Sequence, residues 1–159
     1  MQHSFRRLGI ILFCLLLVAG TALADERGNA AEAKQMVQDA IAFIHQVGPE
    51  KAFEDFNTPG SARWHKKDLY VFCYKMDGTN VAYGALGGAR IVGKNLIDLK
   101  SADGQPLIRN MIGIVRTSGS GWITYQWAHP ETKKTETKRA YLTKIPGYEG
   151  LLGVGIYPQ

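Results

Sequence analysis

The sequence predicts an α+β domain in which helices pack on an antiparallel β-sheet. Three segments space their apolar residues by three and four positions, which is typical of amphipathic helices. Runs of β-branched and aromatic residues occur both early and late in the chain, with short turns between neighbouring runs. Because tight turns join antiparallel neighbours, these strands are expected to form one sheet. The predicted order is helix, helix, strand, strand, helix, strand, strand, strand.

Residues 1–24 are predicted to be a signal peptide. Two arginines at positions 6 and 7 precede an apolar run over residues 8–18, and Ala-Leu-Ala at 22–24 suits signal peptidase. The apolar run is shorter than the roughly 20 residues that a membrane-spanning helix needs. We therefore expect cleavage after Ala24 and a periplasmic location for residues 25–159.

Residues 25–159 are long enough for one domain with its own hydrophobic core. Cys73 is the only cysteine beyond the predicted leader, which excludes an intramolecular disulfide, and its neighbours in "LYVFCYKM" indicate a buried thiol. The chain carries 19 basic and 14 acidic residues, and two of the basic ones lie in the leader. This excess of positive charge is too mild to indicate a nucleic-acid partner.

The helices are predicted from apolar spacing and from glycine and proline. The first covers Ala30 to Val47 and ends at Gly48. The second covers residues 50–57, with Pro49 in its first turn. The third begins behind Pro106 and ends before residues 118–119.

Five strands are predicted. "DLYVFCYKM" and the run after it are joined by an Asp77-Gly78 turn, which suits a tight hairpin. The stretch "GWITYQWAHPETKKTETKRAYLTKI" supplies a strand, a turn and a second strand, and "EGLLGVGIYP" supplies the last. Within these strands alternate residues share a face, so Tyr125 and Trp127 point the same way. The register between strands, and hence which faces meet, stays open.

Three motifs carry a resemblance to a known family: Gly-Trp-x-x-Tyr-x-Trp-x-x-Pro at 121–130, Lys138 and Tyr141 on the next strand, and Gly-x-Gly-x-Tyr at 153–157. With "DLYVFCYKMDGTNVAYG" and "GKNLIDLKSADGQPLIRNMI", they look like a single Cache domain of the prokaryotic extracytoplasmic type. The resemblance covers roughly residues 31–157. It implies a PAS-like antiparallel sheet with a long N-terminal helix packed along it, in one domain over residues 25–159.

Cache domains commonly bind small organic acids, amino acids or related metabolites. The resemblance therefore implies a pocket lined by aromatic rings, with a cation for a carboxylate. Buried tyrosine and tryptophan need a polar partner, which a ligand can supply. The candidate ligand-binding residues are Tyr125, Trp127, Lys138, Tyr83, Tyr70, Tyr141 and Arg63.

The chain departs from many relatives at two adjacent positions. Tyr83 and Gly84 stand where those relatives have His-Pro, and the Tyr83 phenol could replace the histidine as a hydrogen-bonding group. Asp98 and Asp103 are typical of turn residues and do not indicate a metal site. The histidines are scattered and no nucleophile or phosphate-loop motif occurs. We expect neither an enzyme nor a cofactor.

Two functions remain open. The leading hypothesis is an exported sensor that binds a small organic acid or amino-acid-like ligand. It would signal through a separate membrane-bound kinase, chemoreceptor or transporter, since the sequence holds no output domain. The alternative is a ligand-free accessory subunit of a cell-envelope complex, with its pocket plugged by Tyr83 and Leu86.

Overall fold

The computed structural model describes residues 27–158, so the predicted signal peptide lies outside the described residues. The helices are α1 (Ala30–Val47), α2 (Pro49–Phe56) and α3 (Leu107–Ser118). The strands are β1 (His65–Lys66), β2 (Leu69–Lys75), β3 (Asn80–Tyr83), β4 (Ser120–Ala128), β5 (Thr135–Lys144) and β6 (Gly150–Ile156). The predicted α+β class is confirmed, and the unpredicted additions are the two-residue β1 and a 3-10 turn at Gly88–Arg90.

Local interactions set both ends of α1. The Asn29 side chain accepts the backbone N–H groups of Ala31 and Glu32, and the Glu32 carboxylate accepts the N–H of Asn29. This reciprocal pair is a capping box, which satisfies amides that the first turn leaves free. At the other end Gly48 has a φ of 85°, which glycine adopts without strain, and Pro49 begins α2. A single glycine therefore separates the two helices.

The described strands form one antiparallel sheet in the order β1-β2-β6-β5-β4, and β3 also pairs with β2. The predicted turn joins β2 to β3, with Gly78 at a φ of 92° and the Asp77 carboxylate accepting the N–H of Thr79. Strand β6, the last in the chain, lies between β2 and β5. It therefore joins the early hairpin to the late one.

Each face of the sheet is covered by different helices. Helices α1 and α2 pack on one face, which we call the α1 face, over a core that includes Val71, Leu152 and Val154. Helix α3 covers the opposite face, the α3 face, over a core that includes Phe72 and Leu142. Cys73 is fully buried on the α1 face, and this burial raises the pKa of its thiol well above the usual value. The prediction of a buried thiol is confirmed.

None of the helices within residues 27–158 is both long enough and apolar enough to span a bilayer.

Candidate functional site

A small cavity lies between α3 and the sheet. Its lining is mainly aromatic and apolar, with one lysine, and consists of Tyr70, Phe72, Tyr74, Tyr83, Leu107, Met111, Tyr125, Trp127 and Lys138. Five of these residues are among the predicted ligand-binding residues: Tyr70, Tyr83, Tyr125, Trp127 and Lys138. The fold thus gathers residues from four strands and one helix at a single place.

The register between β4 and β5 places the cation beside the aromatic rings. Tyr125 on β4 lies directly opposite Lys138 on β5, so their side chains share the α3 face. Trp127 is two residues from Tyr125 and therefore points to the same side, with the two ring centres 6.0 Å apart. The sequence left the register between β4 and β5 open. In the structure this register places Tyr125 and Trp127 beside Lys138, as the predicted site requires.

Lys138 is almost completely buried, with 1% of its surface exposed. Its ammonium group donates a hydrogen bond to the Tyr70 hydroxyl at 2.6 Å. The same group lies 3.9 Å from the centre of the Tyr70 ring and 5.3 Å from that of Tyr157. These rings offer a cation some attraction through their negative faces. They do not neutralise its charge.

No carboxylate within residues 27–158 lies within salt-bridge distance of the Lys138 ammonium. Burial lowers the pKa of Lys138 to about 7, and the more distant Asp68 carboxylate opposes that shift. A buried charge without a counter-ion is costly, and proteins normally pair it or neutralise it. The ammonium therefore has donor capacity and charge that the surrounding side chains leave largely unused.

A chain of polar groups continues from Lys138 across the cavity. The Tyr70 hydroxyl lies 2.9 Å from the Tyr83 hydroxyl, which accepts a hydrogen bond from the Trp127 indole N–H at 3.2 Å. Burial raises the pKa of Tyr70 well above its usual value, so this phenol stays protonated. Ammonium, phenol and indole together form a group of donors, which suits an acceptor such as a carboxylate.

Glycines in β6 make the burial of Lys138 possible. A Cβ atom on Gly155 would lie 2.2 Å from Cε of Lys138, so the lysine stem passes directly over this glycine. A Cβ on Gly153 would lie 2.4 Å from the Phe72 ring. The Gly-x-Gly spacing at the end of the chain therefore provides the room for two residues of the cavity wall.

The free space inside the cavity is about 10 Å³, which is about the room that one water molecule requires. Tyr83 lines this space and contacts both Tyr70 and Trp127. Leu86, which the ligand-free alternative places in the pocket together with Tyr83, is 63% exposed and is not part of the lining. Of these two residues, Tyr83 alone contacts the cavity.

Two of the predicted ligand-binding residues lie elsewhere. Tyr141 has the opposite strand parity to Lys138, so it faces α1, where its ring packs 5.2 Å from Trp122 and its hydroxyl donates to Ser120. Arg63 is exposed, and its guanidinium lies over the rings of Phe43 and Trp64 at 4.2 and 4.5 Å. Neither Tyr141 nor Arg63 therefore lines this cavity.

Sequence reasoning missed four residues of the lining: Phe72, Tyr74, Leu107 and Met111. Phe72 and Tyr74 follow Tyr70 at intervals of two along β2, so strand alternation could have found them once Tyr70 was chosen. Leu107 and Met111 lie four residues apart on α3, and helical spacing places them on one side. In both cases the spacing of the residues was visible in the sequence, but it does not distinguish residues that line a cavity from residues of an ordinary core.

A second buried polar pair lies close to the cavity, beyond Tyr157. Asp68 Oδ1 accepts the Gly28 N–H at 2.6 Å, and Asp68 Oδ2 faces His129 Nε2 at 3.8 Å. His129 Nδ1 faces the N–H groups of Glu131 and Thr132 at 3.3 Å, so the ring proton belongs on Nε2. That tautomer directs a donor toward Asp68 and leaves no lone pair for a metal. Within residues 27–158, no three His, Cys, Asp or Glu side chains are grouped to hold a metal ion.

The antiparallel sheet, with a long helix along one face and a donor-lined cavity on the other, has the α+β architecture predicted from the sequence. Comparison with known families agrees, because the model of the family described as Single Cache domain 2 matches residues 21–159. The chain belongs to this family of sensory, extracytoplasmic ligand-binding domains.

Known relatives include sensors from two signalling systems. The chain is 29% identical over 91 residues to the sensor histidine kinase MctS of Rhizobium johnstonii, and the match covers 57% of this chain but only 19% of the kinase. It resembles the structure of a methyl-accepting chemotaxis protein from Vibrio parahaemolyticus with a TM-score of 0.65 and 23% identity, covering 80% of this chain and 86% of that one.

A third relative is a solved structure described as "Structural basis for carboxylic acid recognition by a Cache chemosensory domain". The TM-score is 0.68 at 17% identity, over 81% of this chain and 92% of that domain. At such low identities the structural likenesses show the fold alone. The Cache fold predicted from the sequence is confirmed.

Proposed function

We propose that this domain senses a short organic acid, bound in the cavity through the Lys138 ammonium. The observation that carries the proposal is the burial of Lys138 with no carboxylate of the described chain within salt-bridge distance. A ligand carboxylate would supply the missing counter-charge and accept hydrogen bonds from Lys138 and from Tyr70 or Trp127. Binding a metabolite in this way requires no catalytic group, so the domain acts as a sensor and not as an enzyme.

The lining favours a monocarboxylate over a dicarboxylate or an amino acid. Lys138 is the only basic side chain among the described lining residues, so a second carboxylate would lack a partner. The described lining contains no acidic side chain, so the ammonium of an amino acid would also be unpaired. The solved Cache chemosensory domain that is described as recognising a carboxylic acid supports the same class of ligand.

The test is isothermal titration calorimetry of the purified domain with formate, acetate, propionate and butyrate. Succinate and glycine are titrated for comparison. We expect at least one monocarboxylate to bind, and Lys138→Met to abolish that binding. Lys144→Met is the matched control, because Lys144 lies on the same strand with half of its side chain exposed. Binding that survives in Lys138→Met, or is lost in both variants, would contradict the proposed role of Lys138.

The dependence of affinity on pH provides a second readout of the same experiment. Because the pKa of Lys138 is lowered to about 7, the free protein loses the cation as the pH rises through this value. The affinity for the acid is therefore expected to fall by up to about tenfold for each pH unit above 7. An affinity that stays constant from pH 6 to 9 would indicate that Lys138 is not the counter-ion.

We place the mature domain in the periplasm and assign its output to a separate membrane-bound kinase, chemoreceptor or transporter. The similarity to a sensor histidine kinase and to a chemotaxis protein supports such an output. A two-hybrid assay against sensor proteins encoded beside this chain tests the assignment. Absence of interaction with every neighbouring sensor would count against it.

The alternative is an accessory subunit that retains the fold without a ligand. The small free volume, about 10 Å³ beside Tyr83, is the observation that favours it. The two functions differ in the titration: an accessory subunit binds none of the acids at any pH, in the original protein or in a variant with a larger cavity.

A further inference from the structure

Tyr83 occupies the place in the cavity that suits the carboxylate of a ligand. Its hydroxyl accepts the Trp127 indole N–H and lies next to the Tyr70 hydroxyl, which in turn accepts from Lys138. An oxygen atom at this point is surrounded by an indole donor, a phenol and, one step further, an ammonium group. These are the groups that a carboxylate oxygen would use.

We propose that the Tyr83 hydroxyl is an internal competitor of the ligand, and that its ring limits the length of the acid the cavity accepts. This inference rests on the proposed function, since it concerns the same cavity. It reverses the sequence-based expectation for Tyr83, in which the phenol donates a hydrogen bond to the bound acid. A competing hydroxyl must leave before the acid binds, so its removal strengthens binding.

The main chain around Tyr83 is held firmly, so the side chain is the part that changes position. The Tyr83 N–H donates to Asn57 Oδ1 at 2.9 Å, and Tyr83 is paired with Phe72 across β2 and β3. The next residue, Gly84, donates its N–H to the Val71 carbonyl at 2.8 Å. Rotation of the ring about its own χ angles breaks the hydroxyl contacts to Tyr70 and Trp127 and the packing of the ring on Tyr70 and Gly88, whereas moving the strand would break the sheet as well.

Gly88 supports one side of the Tyr83 ring. A Cβ atom on Gly88 would lie 2.7 Å from Cδ1 of Tyr83 and 2.2 Å from its carbonyl oxygen. The backbone of the 3-10 turn therefore rests directly on the ring and its main chain. This contact lies against the ring whose hydroxyl accepts the Trp127 indole N–H.

The cost of displacing Tyr83 falls within the range that a ligand can supply. Two hydrogen bonds between neutral groups are lost, and each has only a modest net value because water can satisfy the same groups. A carboxylate that accepts from the same groups replaces neutral bonds with charge-assisted ones, which are about twice as strong. The exchange is therefore favourable only for an anionic ligand, so Tyr83 also selects against neutral molecules of the same size.

The experiment compares the original protein with Tyr83→Phe and Tyr83→Ala by titration with formate, acetate, propionate, butyrate and hexanoate. Tyr83→Phe retains the ring and removes the competing hydroxyl, so affinity is expected to rise by about 3- to 10-fold with the same limit on length. Tyr83→Ala also removes the ring, and is expected to accept longer acids than the original protein. Tyr141→Phe is the matched control, because Tyr141 lies on the α1 face and its loss should leave all affinities unchanged.

Weaker binding in Tyr83→Phe, or an unchanged length limit in Tyr83→Ala, would overturn this inference while leaving the proposed function intact. If no acid binds to the original protein or to either variant, both the inference and the proposed function fail. Circular dichroism of each variant establishes that the fold is retained.

Discussion

Lys138 combines high burial with an ionisable ammonium group, and that combination lowers the stability of the folded protein. Removing an ammonium group from water costs several kcal/mol, and the Tyr70 hydroxyl and nearby rings return only part of this. A residue kept for packing alone would not need the charge. If the cavity binds an anion, the ligand supplies the counter-charge that the protein lacks, and the cost of burying the ammonium then contributes to selective binding.

Replacement of Lys138 by methionine should therefore stabilise the protein while it abolishes acid binding. The folded-state pKa of about 7 lies below the unfolded value of about 10.4, so the unfolded chain binds more protons between these pH values. The stability of the original protein should rise from pH 7 to 10, and this rise should be smaller in Lys138→Met. At pH 6, where the buried amine is charged, we expect the variant to be more stable by about 1–4 kcal/mol.

Urea unfolding at pH 6 and pH 9.5 checks this expectation, with Lys144→Met as the control at an exposed position of the same strand. A Lys138→Met variant that is less stable at both pH values would show that the lysine contributes to packing and is not a cost.

Strand β6 illustrates how one element serves two purposes. All seven residues of the strand are buried, because both faces and both edges are covered. Glycine weakens a strand, since it adds backbone entropy and offers no side chain to pack. Here the absence of a side chain is used: Gly153 leaves room for Phe72, and Gly155 for the stem of Lys138. The glycines lower the intrinsic stability of β6, and they leave the space in which the Lys138 side chain is buried.

Gly155→Ala is expected to displace Lys138, because the added methyl group would occupy the position of its Cε atom. We expect a loss of about 1–3 kcal/mol in unfolding free energy and weaker acid binding. Gly113→Ala is the matched control, since nothing lies within 4 Å of that exposed helical position and alanine should stabilise it by about 0.5–1 kcal/mol.

Measuring Gly155→Ala in a Lys138→Ala background isolates the cause. Once the lysine stem is absent, most of the penalty should disappear. An equal penalty in both backgrounds would mean that Gly155 serves the strand itself and not the cation.

At the level of the whole molecule, the two faces of the sheet differ in what they carry. The α1 face holds the larger apolar core, and the α3 face holds the cavity. Strand β2 contributes to both, with Val71 and Cys73 under α1 and Tyr70 and Phe72 toward the cavity. Because the strands are shared, the stability of the packing face also holds the cavity residues in position.

The predicted signal peptide also concerns the whole molecule, since it would direct the domain to the periplasm. When the full chain is expressed in a Gram-negative host, the periplasmic protein is expected to begin at Asp25, as intact-mass measurement would show. Ala22→Lys places a charge where signal peptidase requires a small residue, and it should block cleavage. A periplasmic protein that retains residues 1–24 in its unsubstituted form would contradict the assignment.

Apolar periodicity and turn residues were sufficient to predict the elements, because these signals are local. The spacing over residues 30–47, the Asp77-Gly78 turn and Pro106 each act within a few residues of chain. Strand alternation also placed Tyr125 and Trp127 on one face, since a side-chain period of two holds in any sheet. Together with the family motifs, this was enough for the fold and for five residues of the cavity.

Only the tertiary structure decided which face each strand presents to which helix. Alternation separates Tyr141 from Lys138, but the packing of α1 and α3 determined that Lys138 faces the cavity and Tyr141 the core. The pairing of Tyr125 with Lys138, the room above Gly155 and the contact of Tyr83 with Trp127 all involve residues far apart in the chain. The sequence determined the elements and their two-sided pattern, whereas contacts between distant segments determined which side became a site.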